Sequence, residues 1–117
     1  MITNEQRQLI HQFVVIDMAQ RSIKSDIELY EKYTDRLKMT KIYMKIINEL
    51  AESIHQEYHN IKRLLNLNKI QVGRWQRVDD THSNYYYIYQ GIEDALMYNN
   101  LQLKNEVENM LIQRLTG

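Results

Sequence analysis

The residues best suited to metal chemistry lie close together near the middle of the chain. Glu52 and His55 have the Glu-x-x-His spacing with which helices of di-iron bundle proteins supply ligands. His55 and His59 are four residues apart, so on a helix their imidazoles are neighbours on one face and can grip a divalent cation. A di-iron site needs inward ligands from several helices, and the chain contains no second Glu-x-x-His unit.

Helical geometry argues against a metal site inside the fold. If Tyr43 is the reference and each residue turns the helix by about 100°, the apolar side chains of this segment fall within about 60° of Tyr43. Glu52 then lies at about 180°, His59 at about 160° and His55 at about 120°. These three side chains face away from the expected core. We therefore predict no structural or catalytic metal.

The run Asp79-Asp80-Thr81-His82 places carboxylates beside an imidazole, a combination that can transfer protons. No nucleophile accompanies it, and the polar, turn-like sequence is typical of a surface loop followed by a helix N-cap. The chain also lacks a Gly-rich phosphate loop and a Gly-x-Ser-x-Gly motif. We therefore predict no catalytic residues, no cofactor and no enzymatic activity.

A basic and aromatic segment is the strongest local departure from average composition. Between residues 60 and 78 the chain carries five basic residues and no acidic ones, and a tryptophan lies among them. Cations interleaved with aromatic rings can bind phosphates and stack on bases, whereas the alternative is a capped helix end closed by the tryptophan. With three tyrosines that follow, the candidate partner or nucleic-acid surface comprises Lys62, Arg63, Lys69, Arg74, Trp75, Arg77, Tyr85, Tyr86 and Tyr87.

Tyrosine is unusually frequent, with nine tyrosines against one phenylalanine. Tyrosine combines a large apolar ring with a hydroxyl group, so it suits contact surfaces as well as packing inside the domain. If Tyr85, Tyr86 and Tyr87 were helical, they would point about 100° apart, and at least one would face solvent or a partner.

The elements that must position these residues are predicted to be helical. No proline occurs, and the first glycine is Gly73, so a long stretch lacks the two residues that most weaken helices. Apolar residues follow a 3.5-residue repeat. The predicted fold is all-α, an antiparallel up-down-up bundle of three long helices over about residues 4–33, 35–66 and 84–115. Thr34 and Asp35 mark the expected break between the first two helices.

The connection over residues 67–84 is predicted to be irregular or a short β-hairpin. The hairpin would pair residues 70–78 with residues 85–89. A loop or a helix extension over 70–89 remains an alternative. The third apolar seam slips at Asn99-Asn100, which leaves open whether the third helix is kinked or broken there.

Composition restricts the class of protein. A chain of 117 residues is expected to form one domain, residues 1–117. The 15 basic and 15 acidic residues balance, which disfavours general electrostatic binding to nucleic acid or anionic membranes. No cysteine and no apolar run long enough for a bilayer are present, and a cytoplasmic location is expected.

These observations favour a non-enzymatic protein–protein interaction or regulatory module that self-associates, with a homodimer as the first expectation. A protein partner is expected but not identified. The alternative is a small nucleic-acid-binding regulator that uses the basic and aromatic segment over residues 62–77.

Overall fold

The chain forms three helices and one three-stranded antiparallel sheet. The computed structural model describes residues 1–33 and 40–116, apart from the side chains of residues 30, 33 and 40. The predicted break at Thr34 and Asp35 lies outside these residues. The elements in chain order are α1 (Asn4–Tyr33), α2 (Thr40–Leu67), β1 (Ile70–Arg77), β2 (His82–Tyr89), β3 (Ile92–Asn99) and α3 (Asn100–Thr116).

The all-α prediction is therefore wrong, and the up-down-up bundle of three equal helices is not formed. The first predicted helix, residues 4–33, is α1. The described part of the second is α2. The third, predicted over 84–115, is helical only from Asn100, because the preceding residues belong to β2 and β3. The sheet has the order β1-β2-β3.

Local sequence explains why β2 is a strand rather than a helix. Ser83, Tyr85 and Tyr87 are buried while the residues between them are partly exposed, which is the two-residue period of a strand. Tyrosine and isoleucine also fit a pleated, half-buried surface well. Gln90 and Gly91 then form a two-residue hairpin turn with positive φ at both positions, 54° and 76°. Glycine adopts this conformation without strain.

The β-hairpin that the sequence offered as one alternative for residues 70–89 is present. A third strand, β3, pairs with β2 and extends the hairpin to a sheet. β1 pairs with β2 so that Ile70 lies opposite Tyr89 and Trp75 opposite Tyr85. A bulge interrupts this register between Val72 and Trp75. Gly73 lies in the bulge, where an added Cβ would be 3.0 Å from the carbonyl oxygen of Tyr86. A glycine therefore permits the two backbones to approach closely.

Side-chain caps define where two helices begin. Thr3 accepts a hydrogen bond from the backbone N–H of Gln6 and donates its own backbone N–H to the Gln6 side chain, which is a reciprocal capping box. Asn99 accepts at 3.0 Å from the backbone N–H of Gln102. The slip that the sequence shows at Asn99-Asn100 is thus the boundary between β3 and α3.

Helix α1 lies at the centre of the molecule. Phe13, Val14, Val15 and Ile16 are all buried, so this part of the helix is covered on every side. Helix α2 covers one side, the sheet another and α3 a third. The residues that these elements contribute to the shared core are Ile54, Ile61 and Leu65 from α2, Ile70, Tyr85, Tyr87 and Leu96 from the sheet, and Leu103 and Val107 from α3.

The cap at Asn99 can be tested by substitution. Asn99→Ala removes the side-chain acceptor at the start of α3, and we expect the free energy of unfolding to fall by about 1 kcal/mol. Urea denaturation followed by circular dichroism measures this change. Asn109→Ala is the matched control, because this exposed residue lies within α3, where alanine favours the helix. Equal stability of the two variants would contradict the capping role.

Candidate interaction surface

The predicted basic and aromatic residues are only partly brought together. Lys62 and Arg74 border one cavity of about 460 Å³, and Trp75 also lines it. The Lys62 ammonium lies 5.8 Å from the centre of the Tyr58 ring. The Arg74 guanidinium lies 4.8 Å from the centre of the Tyr86 ring. Both contacts are within the range of a cation–π interaction.

The remaining cations of this group lie elsewhere. Arg77 lines a different cavity of about 610 Å³ beside α3 and contacts Asp80 at 3.4 Å. Arg63 is exposed on α2, and Lys69 is exposed at the start of the chain segment that leads into β1. Neither Arg63 nor Lys69 lines these two cavities. The predicted surface is therefore divided among separate regions.

The three tyrosines alternate across the sheet. Tyr85 and Tyr87 are buried, each about 4% exposed, and Tyr85 packs against Phe13 and Trp75. Tyr86 lies on the opposite face, where its hydroxyl donates to Gln76 at 2.9 Å. Burial raises the pKa of Tyr85 above its usual value, and the negative charge of Asp17 adds to this. Tyr85 and Tyr87 are thus part of the core.

The acidic pair next to His82 forms a turn. Oδ1 of Asp79 accepts hydrogen bonds from the backbone N–H of Thr81, from the Thr81 hydroxyl and from the backbone N–H of His82. These hydrogen bonds lower the pKa of the Asp79 carboxyl, and the bond from the Thr81 backbone N–H has the largest effect. The carboxylate therefore stabilises the β1–β2 connection.

A histidine network that the sequence did not indicate joins three elements. His11 Nδ1 lies 3.1 Å from the Tyr98 hydroxyl, and His11 Nε2 lies 2.7 Å from Oε1 of Glu106. Burial, and secondarily the Glu106 charge, raise the pKa of Tyr98. The network borders an open cavity of about 590 Å³ between α1, α2 and α3. The hydroxyl that the His11 imidazole contacts is that of Tyr98. Because the pKa of this hydroxyl is raised, it keeps its proton and is a poor nucleophile.

The Glu52, His55 and His59 side chains are exposed on α2, so the prediction that they face away from the core is confirmed. Across residues 1–33 and 40–116, no group of three or more His, Cys, Asp or Glu side chains could hold a metal ion. In the same residues, no helix is both long and apolar enough to cross a membrane.

An exposed apolar surface lies on the distal part of the helix pair. We define the arm as residues 24–33 of α1 and 40–53 of α2. None of its described side chains is buried, whereas Ile23 and Ile54 at its base are fully or almost fully buried. The arm thus extends beyond the part of the helices that the sheet and α3 cover.

One face of the arm carries large apolar side chains. The arm patch consists of Ile42, Tyr43 and Ile46, which are 54%, 52% and 44% exposed. Their spacing of three and four residues places them together on α2. Half-buried Leu50 lies one turn further along the same face and joins the patch to the core. The predicted inward seam of α2 is therefore open to solvent at Tyr43.

Helix α3 explains why the patch is uncovered. Tyr43, Leu50 and Glu57 follow one another at seven-residue spacing, so they form a single stripe along α2. This stripe meets α3 at Glu57, whose Oε2 forms an ion pair with Nη1 of Arg114 at 2.5 Å. Arg114 is in the last turn of α3, which ends at Thr116. Beyond that point the stripe becomes more exposed, from half-buried Leu50 to Tyr43, which is 52% exposed.

A protein-family model described as YhjD protein matches residues 1–117. The chain belongs to this family. No curated protein and no solved structure matches the chain. The description of the family states no activity.

The buried tyrosines lead to a prediction about alkaline stability. Because the folded state raises the pKa of Tyr85 and Tyr98, the unfolded chain loses these protons first, and stability should fall as the pH rises through about 10. Urea denaturation between pH 8 and pH 11 measures the slope. We expect a shallower slope for Tyr98→Phe, which cannot ionise. An unchanged slope would contradict the assignment.

Proposed function

We propose that the protein is a non-enzymatic interaction module that self-associates through the arm patch. The observation that carries the proposal is the exposed stripe Ile42, Tyr43 and Ile46, which continues the stripe that meets α3 at the Glu57–Arg114 ion pair. Exposed apolar side chains that lie together on a small domain often mark a contact site. A second copy offers the same stripe, so two arms can pack as four helices.

The expected strength follows from the exposed area. Completing the burial of a half-exposed Ile or Tyr contributes roughly 1 kcal/mol, so two patches contribute roughly 6 kcal/mol. Association itself costs about 4–15 kcal/mol. Even at the lowest cost, the three side chains alone leave about −2 kcal/mol, which corresponds to a dissociation constant well above 1 mM. A dimer below 1 mM must therefore also bury other side chains of the arm, such as Leu29, which is 52% exposed.

The absence of a catalytic site remains a proposal, supported by the nature of the polar clusters. Asp79 is engaged in a turn, and the His11 network holds Tyr98 with a raised pKa. A cytoplasmic location likewise remains a prediction from composition.

Self-association can be measured directly. Size-exclusion chromatography with light scattering, from about 10 µM to about 1 mM, should give a mass that rises from that of the 14.2 kDa monomer towards the dimer. Ile46→Lys places a charge at the centre of the patch and should keep the protein monomeric. Its folded state should be unaffected because the side chain is already half exposed.

Ile92→Lys is the matched control for this experiment. Ile92 is 70% exposed at the β2–β3 turn, far along the chain from the arm, and the same substitution there should leave the mass profile unchanged. The proposal is wrong if the unmodified protein is a monomer at all concentrations, or if Ile46→Lys and Ile92→Lys lose the dimer equally.

A second proposal is binding of single-stranded nucleic acid at the cavity bordered by Lys62, Arg74 and Trp75. Its support is the placement of three cations, Lys62, Arg74 and Arg21, around a partly exposed indole ring. It is the weaker proposal, because Tyr85 and Tyr87 are in the core. Two of the three cations are also paired with carboxylates, Arg21 with Asp17 and Arg74 with Glu93.

Fluorescence anisotropy with labelled oligonucleotides at low salt tests this second proposal. Binding should weaken steeply with salt, and a Lys62→Ala, Arg74→Ala double variant should bind less tightly with a smaller dependence on salt. Arg63→Ala is the control, since Arg63 does not line this cavity. No association of the unmodified protein with DNA or RNA rules out this function.

A further inference from the structure

Two histidines on the outer side of α2 are already arranged as a pair. The Nε2 atoms of His55 and His59 lie 3.0 Å apart, with the ring planes at 87° and the ring centres 4.4 Å apart. Both side chains are exposed. One Nε2–H donates to the other Nε2, so one lone pair and one proton lie between the rings.

We propose that His55 and His59 form a two-histidine surface site for a divalent cation of the Cu(II) or Ni(II) class. Both Nε2 atoms would bind the cation, and water would fill the remaining positions. This site is separate from the arm patch and does not depend on the proposed self-association.

The two nitrogens are close enough to bind one cation of this class. Metal–imidazole bonds are about 2.0–2.1 Å long, so two neighbouring ligands about 90° apart lie about 3 Å from each other, and the hydrogen bond already holds the two Nε2 atoms at 3.0 Å. Neighbouring ligands of tetragonal Cu(II) and Ni(II) are about 90° apart, whereas tetrahedral Zn(II) prefers about 109°. Cu(II) also binds nitrogen ligands more tightly than either Ni(II) or Zn(II).

A residue of α1 orients one of the two rings. The side-chain amide nitrogen of Gln20 lies 2.7 Å from Nδ1 of His55 and donates to its lone pair. The His55 proton is then on Nε2, which donates to Nε2 of His59. Outer contacts of this kind fix the tautomer and orientation of metal-binding histidines. When a cation binds, the proton on Nε2 of His55 must move to Nδ1 by exchange with water, and the Gln20 amide must turn its oxygen towards Nδ1–H to keep the contact.

The surroundings permit a cation to approach. His55 lines an open cavity of about 470 Å³ between α1 and α2, together with Glu28, Glu52 and Lys24. Glu28 and Glu52 bring two negative charges against the one positive charge of Lys24. Lys62 follows His59 by three residues, but its ammonium lies against the Tyr58 ring. Because both imidazoles must be neutral to bind, the affinity should fall in acid.

Calorimetric titration of the tag-free full chain with Cu(II) tests the site. We expect one cation per chain, bound more tightly than Zn(II), and an electron paramagnetic resonance spectrum that shows nitrogen ligands. His55→Gln and His59→Gln should each weaken binding at least about tenfold, because each removes one of two ligands.

His82→Gln is the matched control, because His82 is partly exposed on another element and has no histidine partner four residues away. It should leave Cu(II) binding unchanged, and circular dichroism should give the same fold for all variants. Binding that persists in both His55→Gln and His59→Gln, or that is lost equally in His82→Gln, would overturn the proposal. So would a titration without a defined stoichiometry.

Discussion

The structure depends on one constraint, the need to cover α1 on all sides at Phe13–Ile16. Four consecutive apolar residues on a helix point in every direction, so no single neighbour can remove them from water. Phe13 packs against Tyr58 of α2 and Tyr85 of β2, with ring centres 5.1 and 6.3 Å apart. Helix α3 covers a further side. The sheet supplies the remaining cover for α1 beside α2 and α3.

The same four residues show how far the sequence could predict the fold. The 3.5-residue repeat was sufficient for α1, whose range of 4–33 is confirmed, and for the described part of α2. The run Phe13–Ile16 already required more than the two neighbours that a three-helix bundle gives each helix. The third seam was misleading, because Tyr85 and Tyr89 are four residues apart, and a spacing of four fits both a helical face and one face of a strand. In the structure, the alternation of buried and partly exposed residues over 83–87 and the hairpin turn at Gln90 and Gly91 separate the two interpretations.

Site prediction succeeded where one helix determines the geometry and failed where several elements do. The outward position of His55 and His59 follows from the angle per residue, and the structure agrees. The contacts of His11 with Tyr98 and Glu106 depend on how β3 and α3 pack on α1, which no local pattern encodes. The exposure of Tyr43 has a similar origin. Its seam is apolar, but α3 has 17 residues rather than about 30 and ends before it reaches the arm.

The contacts of His11 have a consequence for the order of events in folding. They join residues 87 and 95 positions apart, whereas α1 and α2 are adjacent in sequence. The entropy of closing a chain loop grows only with the logarithm of its length, and each doubling adds about 0.6 kcal/mol. Folding rate, by contrast, falls steeply as contacts become more distant in sequence. Separation along the polypeptide therefore governs when the last helix docks far more than how firmly it is held.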